Sequence, residues 1–163
     1  MPDTGGAVSE LLSVFSEQLA EYAKKKNQVH KKDLLITIVT NLSEINEQKM
    51  NWLIDNNIEI CTSLDGPKEL HDYNRKLMNG GNYDQVVKWI KLFQEEFKKR
   101  GLNRRVNALV TLTRKSLSYP KEIVDEYVKQ NLNFIHLRFL SRLGVAKKSW
   151  PEIDYSADDY LKF

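Results

Sequence analysis

Four short runs rich in β-branched and aliphatic residues recur along the chain, each separated from the next by a segment of helical period. The runs are Asp33–Leu42 (DLLITIVTNL), Ile58–Leu64 (IEICTSL), Arg105–Thr113 (RVNALVTLT) and Phe134–Ser141 (FIHLRFLS). They are nearly continuous in apolar character rather than alternating, the pattern of strands covered on both faces, as in parallel sheets. Between them, Asn46–Asn57 places Met50, Leu53 and Ile54 on one helical face. Tyr83–Arg100 does the same with Val86, Val87, Ile90, Phe93 and Phe97, and Pro120–Leu132 with Ile123, Val124, Tyr127 and Val128. Gly101 stands where a helix stops. A helix over Val8–Lys26, with Leu11, Leu12, Phe15, Leu19, Tyr22 and Ala23 at three–four spacing, precedes the first run. The tail holds Pro151 and a helix start at Ser156, with Asp158 and Asp159 behind it.

Strand and helix therefore alternate in units of about 30 residues, which dictates βαβ connections and a parallel sheet. The expectation is one α/β domain over residues 1–163, with an N-terminal segment and helix over 1–32 and the strand–helix units over 33–163. Four parallel strands make half a barrel, and an open sheet leaves edges that need cover. The first strand is as apolar as a central one. Either something masks it, or the chain is a piece of a larger protein.

The chain has 25 Lys and Arg against 22 Asp and Glu, a net charge of +3. Nucleic-acid binding needs clustered cations, and the Lys24–Lys26, Lys98–Arg100, Arg104-Arg105 and Lys147-Lys148 runs are scattered over several elements, so an RNA-binding domain is the weakest reading. The lone cysteine, Cys61, excludes a disulfide framework and a Cys-rich metal site. No apolar run approaches the roughly 18 residues of a membrane span, and the first residues do not read as a signal peptide. The expectation is a soluble, cytoplasmic protein with neither membrane nor nucleic acid as partner.

In parallel α/β sheets ligands gather at the carboxyl ends of the strands. Those ends carry Thr40-Asn41, Thr62–Pro67, Thr111–Arg114, and Arg138 with Ser141-Arg142. Hydroxyls, amides and guanidinium groups recurring there suit a carboxylate or phosphate. Strand-end polarity is also what any such sheet shows water. His30, His71 and His136 have no metal-ligand spacing. His71-Asp72 reads as a loop-ordering pair rather than an acid–base pair. Trp52, Trp89 and Trp150 lie on or near apolar stripes and read as core.

One string is more specific. Cys61–Arg75, CTSLDGPKELHDYNR, joins Ser-Leu-Asp-Gly-Pro to His-Asp-x-x-Arg. It resembles the radical S-adenosylmethionine superfamily, in the branch of peptide- and protein-modifying maturases that includes anaerobic sulfatase maturation enzymes. Ile38–Leu42, ending in Thr-Asn, is similar to that family's third strand, and Thr113–Leu117 and Leu137–Leu140 with Gly144 to its later strand ends. The nearest likeness is to the maturase of the His-Xaa-Ser peptide system. The resemblance covers roughly Asp33–Phe163.

The resemblance implies a partial TIM-type barrel of six βα units, of which this chain supplies strands three to six. It implies that Ser63 and Arg75 contact the carboxylate end of S-adenosylmethionine, that Asp65, Gly66 and Pro67 shape the turn, and that Thr40 and Asn41 line the same mouth. Thr111 and Arg138 fall near the nucleoside. The parent family uses a 4Fe-4S cluster held by a Cys-x-x-x-Cys-x-x-Cys loop and acts on a peptide or protein. This chain has one cysteine and lacks that loop, and Gly5-Gly6-Ala7-Val8 keeps only the glycines of the family's Gly-Gly-Glu-Pro motif. The expectation is a fragment of such an enzyme, with part of the cofactor pocket but no cluster, no metal site and no catalytic residue of its own. Its partner would be the missing N-terminal part of the barrel. The alternative is a free-standing, non-catalytic α/β module for a peptide or a small anionic ligand.

Overall fold

The computed structural model describes residues 4–75, 81–144 and 146–163, with the side chains of 4–16 left out. In chain order the elements are α1 (Thr4–His30), β1 (Thr37–Thr40), α2 (Glu47–Asp55), β2 (Glu59–Ser63), α3 (Lys68–Asn74), α4 (Tyr83–Lys99), β3 (Asn107–Thr111), a 3-10 turn (Lys115–Ser118), α5 (Pro120–Lys129), β4 (Ile135–Arg138), α6 (Ala146–Ile153) and α7 (Ala157–Lys162). All four expected strands form, in the order β1-β2-β3-β4, and every pairing is parallel.

The register assigns the two faces. Ile38, Ile60 and Thr62, with Ala108, Val110 and Ile135, share one face, because paired residues of parallel strands point the same way and neighbours along a strand alternate. All of these except Thr62 pack in or against the core cluster with Leu64, Leu112 and the helices. Val39, Cys61, Ser63, Leu109, His136 and Arg138 share the opposite face. On α4 the expected stripe is buried throughout, with Val86, Ile90 and Phe93 sealed from water. Met50, Leu53 and Ile54 of α2 are buried as well.

Several expectations need correction. Burial on both faces holds for β2 and β3 but not for β1, whose residues are half-buried or exposed, with Val39 at 60% exposure. β1 is an edge strand, and on one side no described strand pairs with it. β4 is the other edge, where Phe134, Leu137 and Phe139 are exposed. On α5, Ile123 and Tyr127 point inward, whereas Val124 and Val128 face water. Each lies one residue round the helix, about 100° from the buried stripe.

Glu126 takes the remaining inward place on α5. Its carboxylate accepts hydrogen bonds from the Tyr83 hydroxyl and from Gln130 Nε2 at 2.6 Å, and Lys129 Nζ lies 3.2 Å away. α1 is longer at both ends than its apolar spacing predicts. Leu19 and Tyr22 are exposed and Ala20 is buried, while Leu11, Leu12 and Phe15 lie outside the described side chains.

The segment after β2 holds helix α3, which carries His71 and Asp72. α6 was not expected, because Pro151 reads as a stop. Pro151 falls in the last turn, where a missing N–H removes a single ladder bond. α7 opens at Ser156, as expected, with a reciprocal cap: the Ser156 hydroxyl accepts the Asp159 N–H, and the Asp159 carboxylate accepts the Ser156 N–H. Among the described residues no helix is long and apolar enough to cross a membrane.

Candidate functional site

The site is built where β2 ends. Leu64 continues the ladder, its N–H donating to the Leu109 carbonyl at 2.9 Å, and its own carbonyl accepts the Tyr127 hydroxyl at 2.8 Å. The next side chain, Asp65, is 1% exposed. A buried carboxylate is tolerated only if its oxygens are satisfied, and Asp65 has three donors. Arg75 supplies two, Nε to Oδ2 at 2.8 Å and Nη2 to Oδ1 at 3.1 Å; the Thr111 N–H supplies the third, to Oδ1 at 3.0 Å. One carboxylate thus ties α3 to β3 across the end of β2.

Local chemistry explains why the chain turns here. Gly66 has φ +127, and a Cβ at this position would sit 2.9 Å from Cγ1 of Ile123 and 3.1 Å from Cδ2 of Leu70. Pro67 follows with φ −61 and opens α3. His71, on α3, is fully buried. Its Nδ1 accepts the Asp65 N–H at 3.2 Å, and its Nε2 lies 2.7 Å from Oδ1 of Asn82. Burial, outweighing the Asn82 hydrogen bond and the nearby Asp65 and Asp72, lowers the His71 pKa below its usual value. Asp72 Oδ1 accepts the Tyr83 N–H at 3.0 Å and joins α3 to α4. The Gly81 backbone passes so close that a Cβ would collide with the Asp72 carboxyl group. The expected ordering role of the His71-Asp72 pair is therefore carried by three contacts: His71 holds Asp65 before α3 and Asn82 after it, and Asp72 holds Tyr83.

Beyond Asp65 lies an open cavity of about 370 Å³. Asp65, Asn74, Arg75, Thr111 and Thr113 line its sheet side, and Leu140, Ser149, Glu152 and Ile153 its far side. Thr113 Oγ1 donates to Oδ1 of Asn74 at 2.9 Å, and Asn74 Nδ2 donates to Oγ of Ser116 at 3.3 Å. The tail is fastened across the mouth. Arg114 donates Nε to the Asp154 carbonyl at 2.8 Å and Nη2 to its carboxylate at 2.9 Å, and the Leu140 N–H donates to the Tyr155 hydroxyl at 3.3 Å.

The seven residues singled out from sequence divide into four groups. Asp65, Arg75 and Thr111 converge on the cavity. Ser63 is buried on the same face of β2, two residues before Asp65, and does not line it. Arg138 stands beside Thr111 in the β3–β4 register but is exposed. Thr40 and Asn41, at the end of β1, are engaged locally. The Thr40 hydroxyl accepts the Leu42 N–H at 3.1 Å, and Asn41 Oδ1 accepts the Ser43 N–H at 3.1 Å.

Sequence reasoning placed Thr113 at a strand end without assigning it a role, and passed over Asn74. It had no signal for Ser149, Glu152 or Ile153, which lie on the unexpected α6. Among the described residues no group of three or more His, Cys, Asp or Glu is placed to hold a metal. Cys61 is buried in β2, where burial raises its thiol pKa.

In parallel βα folds ligands gather at the carboxyl ends of the strands, which is where this polar cluster lies. Anaerobic sulfatase-maturating enzymes are among the relatives and structural neighbours of this chain. The cysteine-type anaerobic sulfatase-maturating enzyme of Clostridium perfringens strain 13 is 26% identical over 155 residues, 91% of this chain and 39% of that protein. An uncharacterized protein of Methanothermobacter thermautotrophicus is 30% identical over 115 residues, 71% of this chain and 39% of its own length.

The solved structure of native anSMEcpe with bound AdoMet and the Kp18Cys peptide superposes with a TM-score of 0.70 at 24% identity, over 91% of this chain and 40% of that one. Native anSMEcpe with bound AdoMet gives a TM-score of 0.68 at 24% identity, again over 91% of this chain and 39% of that one. At that identity the likeness establishes the fold. No family model matches the chain. The chain spans about two-fifths of the length of the relatives it matches.

Proposed function

We propose that this chain is part of a radical S-adenosylmethionine enzyme of the peptide- or protein-modifying type, and that it carries one wall of the cofactor pocket. The observation that supports the reading most is the convergence of Asp65, Arg75 and Thr111 on one cavity at the carboxyl ends of β2 and β3. It lies in a chain whose fold matches enzymes solved with AdoMet bound.

The polar groups fit part of that cofactor. Asp65 uses Nε and Nη2 of Arg75, so the guanidinium is held in one orientation and its Nη1 end remains to meet a carboxylate. Ser63, Thr40, Asn41 and Arg138 lie outside that cavity and in this reading bound the rest of the cofactor pocket, with Thr111 and Arg138 toward the nucleoside.

The iron–sulfur cluster does not fit. Three thiolates are needed to hold it, and the sequence has one cysteine, enclosed in a strand. When present in the complete enzyme the cluster supplies the electron for cofactor cleavage, and the residues here contribute binding and orientation only. The partner in this reading is the remainder of the barrel, and the substrate a peptide or protein.

Two measurements test the proposal. Iron and sulfide analysis after anaerobic reconstitution is expected to find no stoichiometric cluster; a bound cluster would contradict the assignment. Amide shift mapping with millimolar S-adenosylmethionine is expected to show weak binding confined to Ser63, Asp65, Thr111 and Arg138, reduced by Ser63→Ala and Arg75→Ala. Shifts confined to the opposite ends of the strands, or none at all, would remove the pocket.

A further inference from the structure

We infer that His71 is a positioning residue that sets the direction of the Arg75 guanidinium through the Asp65 main chain, and that it does so as the Nε2–H tautomer. The inference deepens the proposed pocket and rests on that reading for its functional consequence. The Asp65 N–H is an obligatory donor, and its acceptor is His71 Nδ1 at 3.2 Å. Nδ1 must then be unprotonated, so the ring proton sits on Nε2, where Asn82 Oδ1 accepts it at 2.7 Å. Asn82 is buried too, immediately before α4, so the ring is gripped from both sides. The Tyr83 ring meets its edge, with centroids 5.9 Å apart.

Asp65 cannot shift without loss. Its N–H is held by the imidazole, and its carboxylate holds both prongs of Arg75 and the Thr111 N–H. Only a neutral ring can keep this arrangement. A proton on Nδ1 would face the Asp65 N–H and expel it. The charged groups that act on the ring are Asp65 and Asp72, which favour that proton, and Arg75, which opposes it.

The distinguishing experiment uses two variants of different reach and nitrogen-15 spectra of the whole chain. Asn carries its side-chain oxygen close to the place of Nδ1, whereas Gln reaches toward Asn82 and leaves the Asp65 N–H without an acceptor. In His71→Gln, hydrogen exchange at the Asp65 amide and at Arg75 Nε is expected to rise about tenfold, the loss of one net hydrogen bond. In His71→Asn both are expected to stay near wild type. Equal acceleration in the two variants, or an Arg75 Nε unmoved in His71→Gln, would overturn the inference and leave His71 a packing residue.

Should neither variant fold, titration of the wild-type chain decides. The His71 ring nitrogens must report the Nε2–H form, and Arg75 Nε must lose protection at the pH where that ring protonates. The Nδ1–H form, or an Arg75 signal indifferent to that step, refutes the proposal. Because no cofactor enters these readouts, failure of the S-adenosylmethionine mapping with the tautomer result intact would remove the pocket and leave the positioning chain standing.

Discussion

The inner strands β2 and β3 and the outer strands β1 and β4 are written in nearly the same aliphatic vocabulary, yet they sit in different surroundings. Ile60, Ala108 and Val110 are sealed, while Val39, Leu137 and the flanking Leu35 and Phe139 are open to water. The inner pair also carries the networked polar groups: Asp65 just beyond β2 bonds to the main chain of β3, whereas the side chains of Thr40 and Asn41 at the end of β1 accept from their own turn. An aliphatic strand at an edge marks a place where more sheet or a covering element belongs. The difference therefore teaches that one apolar pattern serves sealed and edge strands alike, and that neighbours decide the burial.

The same substitution on an inner and an outer strand tests that contrast most severely. Ile60→Lys buries an ammonium group and is expected to cost more than about 4 kcal/mol, enough to unfold the chain. Val39→Lys, on the exposed face of the edge, is expected to change stability by less than about 0.5 kcal/mol. Denaturant titration of both variants decides, and comparable losses would mean that β1 is covered in solution.

The next effect lies at the end of β2. Asp65→Ala strands the Arg75 guanidinium and the Thr111 N–H, at an expected cost of about 3 kcal/mol, the low end for a buried pair because Arg75 keeps some contact with water. Thr40→Ala at the end of β1 should cost well under half of that, since it removes one half-buried hydrogen bond. Thermal unfolding of the two proteins ranks them, and a reversed order would deny the inner strands their special role.

Acidity separates the regions next. His71 binds fewer protons folded than unfolded, so its contribution to stability is complete above the ordinary value of 6.5 and is lost as pH falls below it. Wild type should lose stability relative to His71→Gln over that range, by no more than about 1.4 kcal/mol per pH unit for a single proton. Parallel curves would show that the ring takes up its proton as readily folded as unfolded. The last effect belongs to the tail. Ser156→Ala removes the cap of α7 at about 1 kcal/mol, and it should loosen the tail without moving the midpoint of the sheet.

The strands, their order and direction were legible because period and β-branching are local properties. The cluster at Asp65 was legible as a string, but the use of Arg75 was not. A guanidinium beside a strand end reads as an open clamp, and only the fold shows that Asp65 occupies two of its donors. The edges were misjudged because burial depends on neighbours that no local pattern names. Val124 and Val128 were drawn inward by their hydropathy, while Glu126 won the place by satisfying its carboxylate with Tyr83, Gln130 and Lys129. Helix α6 was hidden by Pro151, and with it one wall of the cavity.

Tyr127 reaches from α5, on the outer layer, to the Leu64 carbonyl, one residue short of the buried carboxylate. Its hydroxyl works as a spacer of fixed length between that layer and the ligand end. Any drift of α5 would pull on the turn itself, so a substitution far out on this helix would reach the Asp65 cluster without touching it.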